Sequence, residues 1–248
     1  MDGHCRRTTS IVRPECLDVE RRLGNPKRAK EVLEEALLAD AYLTQARYYL
    51  ALALLDLKQP DEAIAHLDLV VKSGEKRADV YLSLGTAHLD SGRVDKGLGV
   101  LIEATHLDPA RRDVRIQLAR AYRLQGLLDD AESQLALGVP PAVSSAASPF
   151  LQQRDLEFNL YLEQGLLRLE QGRLDPARDA FRKVLEMDPD HGPANRHLAT
   201  VYLRQAEYAL AFEYANRAEK LGFPLPPAER KRLDEGRAKR PKRIGTRE

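Results

Sequence analysis

Six histidines, two cysteines and 38 aspartates and glutamates are the residues of this chain whose chemistry suits metal ligation, nucleophilic attack or proton transfer. Their spacing decides whether any are placed to do it. His4, His66, His88, His106, His191 and His197 form no HExxH pair and no Cys/His set with zinc-ligand spacing. Cys5 and Cys16 are too few for a disulfide framework or a zinc site, so reduced thiols in a cytosolic setting are expected. GxGxxG, GxxxxGK[ST] and GxSxG are all missing. Nothing in the spread of carboxylates selects a pair for acid–base work. The chain is therefore not read as an enzyme: no catalytic residue, metal, cofactor or small-molecule substrate is expected.

The same residues fall into order once the elements carrying them are considered. Hydrophobic residues make up 43% of the chain and charged ones 31%, with no Trp, and helix formers dominate. Units of about 34 residues begin at Ser10, Thr44, Ala78, Arg112, Phe158 and Gly192. Their eighth position reads Leu17, Ala51, Gly85, Ala119, Gly165 and Ala199; their twentieth reads Ala29, Ala63, Gly97, Ala131, Ala177 and Ala211. Position 24 carries Leu33, Leu67, Leu101, Leu135, Phe181 and Ala215. The phase breaks once, where 12 extra residues enter between Gly138 and Phe158 around the Pro/Ser/Ala stretch VPPAVSSAAS. That stretch reads as a tolerated loop, or alternatively as a hinge or extra contact surface.

This pattern resembles the tetratricopeptide repeat over about residues 10–225. The resemblance implies an all-α fold, a right-handed α-solenoid of about six helix-turn-helix repeats. Each repeat is then a helix A and a helix B, with the small residues at positions 8 and 20 letting the two axes approach. Gly92, Gly126 and Gly172 fall where helix A must stop. Asp61, Asp95, Asp129 and Asp175 fall at the start of helix B, where a carboxylate can cap free amides and meet the helix dipole. Two departures stand out. The aromatic usual at position 4 occurs only as Tyr81 and Tyr161, and the first unit lacks the small residue at position 8. His88 reads as a satisfied core histidine.

The implied organisation is a disordered segment 1–9, then units 10–43, 44–77, 78–111, 112–138 with the insertion 139–157, 158–191 and 192–225. Residues 226–248 follow, a capping helix and a disordered basic tail. Net charge is +1 overall, but this last segment holds nine Lys or Arg against four acidic residues. It has no interleaved aromatics for base stacking, so nucleic acid is not an expected partner. No apolar run reaches membrane-span length and the first residues lack a signal-peptide core. A cytoplasmic location is expected, with a periplasmic or envelope one open if the true N-terminus lies upstream.

The resemblance also places a partner-binding groove on the A helices: Tyr48, Leu52, Leu55, Leu82, Thr86, Leu89, Ile116, Arg120, Arg123, Leu162, Leu166, Arg196, Thr200 and Arg204. The Lys/Asn set with which some family members clamp a terminal carboxylate is missing. A leucine stripe interrupted by arginines fits instead an amphipathic or extended protein segment bearing an acidic group. The expected function is a non-catalytic protein-interaction scaffold. The alternatives are an accessory subunit of an envelope or secretion assembly, or tail-mediated association with nucleic acid or anionic lipid.

Overall fold

The computed structural model describes residues 18–138 and 150–239. The readings of residues 1–9, Cys5, Cys16, the loop 139–149 and the tail from Arg240 onward lie outside the described residues. Among those described there are thirteen helices and no strand: α1 (Val19–Arg22), α2 (Pro26–Ala39), α3 (Thr44–Asp56), α4 (Pro60–Lys72), α5 (Ala78–Asp90), α6 (Val94–Leu107), α7 (Arg112–Leu124), α8 (Leu128–Gly138), α9 (Phe150–Glu170), α10 (Leu174–Met187), α11 (Gly192–Arg204), α12 (Tyr208–Lys220) and α13 (Pro227–Lys239). They form two compact units divided between Gln125 and Gly126, in the turn of the fourth repeat rather than at the insertion.

Within each unit the repeat periodicity becomes packing. Helix A lies on its own helix B in the pairs α3/α4, α5/α6, α9/α10 and α11/α12, and the next helix A packs against both. The small-residue positions are the contact points. A Cβ on Gly85 would meet Leu101 Cγ at 2.6 Å, and one on Gly97 would meet Leu89 Cδ2 at 2.7 Å. In the fifth repeat the larger Phe181 at position 24 is matched by Gly165, where a Cβ would lie 2.7 Å from the ring. Leu33, Leu67, Leu101 and Phe181 are fully buried, each contributing roughly 1.5–3 kcal/mol of apolar transfer.

The turns between helices A and B all pass through the left-handed region. Glycine holds that place at Gly24, Gly92, Gly126 and Gly172, but Lys58 and Ala206 adopt it with φ of 60°. A Cβ there is crowded by backbone, so both residues carry strain that a glycine would not.

The turns from helix B into the next helix A come in two kinds. Asp40, Asp108 and Asp188 end their helices in extended conformation and accept the amides of Tyr42, Ala110 and Asp190 at 2.9, 3.2 and 3.2 Å. The position-4 side chain then donates back to the same turn: Arg47 to the Ala41 carbonyl at 2.6 Å, Arg115 to Pro109 at 3.3 Å, and Asn195 to Pro189 at 3.1 Å. The absence of an aromatic at position 4 in these repeats thus has a physical reason. The other turns described, after α4 and α12, pass through Gly74 and Gly222 instead.

The capping role expected of the position-18 aspartates is corrected. Helices α4, α6 and α10 have no side-chain capping bond, though Asp61, Asp95 and Asp175 do sit in their first turns. Their carboxylates reach the following repeat: Asp61 accepts from Arg93, Asp95 from Gln125 at 2.7 Å, and Asp175 from Gln205 at 2.9 Å. They tie repeats together rather than closing helices.

Candidate partner-binding faces

In unit 1 the A helices α3, α5 and α7 lie side by side. Leu52, Leu55, Leu82 and Thr86 are half-buried there, in register along neighbouring helices, so part of each side chain still meets solvent. Three of the expected groove residues go inward instead. Ile116 is only 1% exposed, and Tyr48 and Leu89 are also buried. They shape the floor of the face and are not available to a partner.

Tyr48 is held from both sides. The Arg77 guanidinium stands 5.3 Å from its ring centroid, and burial pushes its hydroxyl pKa up to about 12, against the opposing hydrogen bond with Ser83. Arg77 also binds Asp79 through two hydrogen bonds. Burial alone would raise the Asp79 carboxyl, but Arg77 and the Val80 amide overcome it and hold it below its ordinary range. Arg111 and Asp113 repeat the arrangement one repeat later, so both position-2 aspartates shape the turn.

Arg120 donates to Asp90 at 2.7 Å, from position 9 of one repeat to position 13 of the one before. Any acidic group arriving at Arg120 must therefore exchange with an intramolecular partner. Arg123 is half-buried one turn further along α7. The spacing of 30 residues that joins Asp90 to Arg120 recurs in Asp95–Gln125 and Asp175–Gln205, a signal present in the sequence and missed there.

In unit 2, α9 and α11 are followed by α13, which packs on α11 and α12. Leu162 and Leu166 are half-buried on α9, as is Arg196 on α11. Arg204 is exposed but donates to the Leu169 carbonyl at 3.3 Å. Thr200 is buried, and its hydroxyl donates to Glu229 Oε2 at 2.7 Å, so α13 occupies the hydroxyl of unit 2 that was expected to meet a partner. Leu233 is fully buried beneath α13, and Arg237 stacks 3.5 Å from the Phe212 centroid.

Among the described residues no group of three or more His, Cys, Asp or Glu is placed to hold a metal ion. No helix there is long and apolar enough to cross a membrane. His88 is buried and burial lowers its pKa, but its Nδ1 has no hydrogen-bond partner, so the expectation of a satisfied core histidine is corrected.

Known proteins share this architecture. The curated human protein O-mannosyl-transferase TMTC1 is 22% identical over 171 residues, covering 58% of this chain; the chain spans only 19% of that relative's length. Among solved structures, the Cut9–Hcn1 hetero-tetramer of the APC/C superposes with a TM-score of 0.74 at 16% identity, over 89% of this chain and 42% of that one. TTC0263, a thermophilic tetratricopeptide repeat protein of Thermus thermophilus, gives 0.58 at 24% identity, over 77% and 97%. A tetratricopeptide repeat model matches residues 18–78, 82–147 and 162–223, more than half of the chain. Helix pairs of repeat length, small residues at the contact points and this match give one conclusion: the chain belongs to the tetratricopeptide repeat family.

Proposed function

We propose that this protein is a non-catalytic scaffold that holds an extended or amphipathic segment of another protein on the inner face of unit 1. Tetratricopeptide repeats bind protein or peptide partners, and in general serve as scaffolds rather than catalysts. The observation that carries the reading is the half-exposed row Leu52, Leu55 and Leu82 on adjacent helices, apolar surface kept accessible beside Arg120 and Arg123. Apolar anchors of the segment cover the leucines, and an acidic group displaces Asp90 from Arg120. Leu162, Leu166, Arg196 and Arg204 form the equivalent, smaller face of unit 2. The transferase activity named for the human relative is not part of this reading, since the likeness covers a small part of that protein.

Selection from a displayed library of short random peptides tests it, whatever the natural partner is. The wild-type protein enriches peptides with spaced apolar residues and an acidic group. Leu82→Asp with Arg120→Glu, folded by circular dichroism, loses that enrichment. Equal enrichment by both proteins contradicts the reading.

A further inference from the structure

Helix α13 closes the C-terminal side of unit 2 by contacts that differ in kind from those between repeats. Eight of its thirteen residues are charged. Among its described side chains Leu233 is the one apolar group it buries, whereas α11 beneath it buries nine residues. Gly236 lets the helix sit close, since a Cβ there would lie 2.0 Å from Tyr208 Cε1, but a glycine inside a helix also weakens it. Glu229, Leu233 and Arg237 stand four residues apart and so share one face of α13. The first accepts from Thr200, the second enters the core of unit 2, and the third stands against the Phe212 ring.

Both hydrogen-bonded ties have a second partner at hand. Thr200 Oγ1 lies 2.7 Å from Glu229 Oε2 and 3.2 Å from the Arg196 carbonyl, so its proton can turn from one to the other. Arg230 pairs with Glu219 of α12 at 3.1 Å and with Asp234 of its own helix at 3.6 Å. Withdrawal of α13 therefore leaves neither the hydroxyl nor the guanidinium without a partner, which removes the usual penalty for breaking such ties. What it uncovers is apolar: the site of Leu233 and the rings of Tyr208 and Phe212. Leu225 is buried just before the helix, so the connection stays fastened when the helix leaves.

We infer that α13 is a displaceable occupant of unit 2, holding the place of a partner segment. The segment that replaces it is a helix with an acidic residue, an apolar residue four further on and a basic residue eight further on, the pattern of Glu229, Leu233 and Arg237. In this way α13 regulates access to the A-helix face of unit 2, a role that rests on the reading of that face as a peptide site. The tether keeps α13 at high local concentration, so a partner enters when it binds tightly or when the hold of α13 is weakened.

The helix itself supplies the probe, a fluorescein-labelled peptide with the sequence of residues 227–239, added to the full chain. Every protein used carries Leu82→Asp and Arg120→Glu, so that the face of unit 1 is silent and failure of one site is read apart from failure of the other. Fluorescence anisotropy should show the peptide binding roughly tenfold or more tightly once the chain's own α13 is released by Leu233→Ser. Glu229→Lys leaves the core untouched, releases α13 in part and tightens binding by a smaller factor. A peptide that itself carries Leu233→Ser does not bind. Equal binding by intact and released chains overturns the inference, as does the lack of binding to a released chain that circular dichroism shows to be folded. Unit 2 must also stay folded when its occupant leaves, so collapse of the Leu233→Ser protein makes α13 part of the fold and equally overturns it.

Discussion

At its C-terminal side unit 2 closes with α13, which buries Leu233 and turns Lys231, Arg232, Asp234 and Glu235 to solvent, whereas α2 of unit 1 leaves Leu38 and the following Tyr42 almost bare. Both are the outermost repeats among the described residues, and in each unit every repeat covers its neighbour. A stack needs a polar outer face wherever the covering stops. In unit 2 the chain provides that face itself, and Thr200 is tied to Glu229. In unit 1 the described residues leave an apolar edge with a hollow beside it. The difference teaches that a helix of the chain's own can close a stack, and that among the described residues only unit 2 is seen to use one.

The largest way to break this contrast is Leu233→Ala. Loss of a fully buried leucine destabilises unit 2 by about 2–4 kcal/mol, measured by urea unfolding, as α13 loses its anchor. Leu38→Ser, by contrast, leaves unfolding within about 0.5 kcal/mol of wild type, because the residue touches little within its own chain. A large loss at Leu38 would mean that the apolar edge is already covered. Glu229→Gln weakens the charge-assisted bond to Thr200 and costs about 1 kcal/mol, since one neutral acceptor remains.

Acid should act on unit 2 through His191. Its Nδ1 accepts the Ala194 amide at 3.2 Å as the cap of α11, which requires the unprotonated ring. Burial lowers its folded pKa, partly opposed by Asp188. A folded pKa below the unfolded one means the stabilisation is complete above the ordinary histidine range and is lost as pH falls through it. Wild type therefore loses more stability between about pH 7.5 and 5 than His191→Asn, whose cap does not titrate; identical pH profiles would remove His191 from the account. The smallest effects belong to the turns. Lys58→Gly and Ala206→Gly each relieve left-handed strain and raise stability by up to about 1 kcal/mol, whereas Gly126→Ala lowers it by a similar amount.

The repeat was legible in the sequence because its signal is local and recurs. A small residue at Ala63 or Gly97 is required by the distance between two helices joined by a short turn, and that requirement returns in every unit. Which residues of the expected groove stay accessible was legible only in part. Whether Leu52 stays half-exposed while Leu89 sinks to the interior depends on how the next repeat lies across it, and no local spacing encodes that. The same holds for Arg120, whose partner Asp90 stands 30 residues back, and for the position-18 aspartates, whose carboxylates turned out to serve the neighbouring repeat. Position 4 gives the clearest case. Arg47, Arg115 and Asn195 look like lost aromatics until their donors are seen on the carbonyls of the preceding turn.

The peptide site proposed on unit 1 rests on Leu52, Leu55 and Leu82 beside Arg120 and Arg123. The most direct test measures peptide enrichment by two folded variants, Leu82→Asp with Arg120→Glu, and Tyr42→Ser. The first should abolish enrichment, and the second, at an exposed residue outside that row, should keep it. Enrichment kept by the first variant, or lost by the second, contradicts the proposed site.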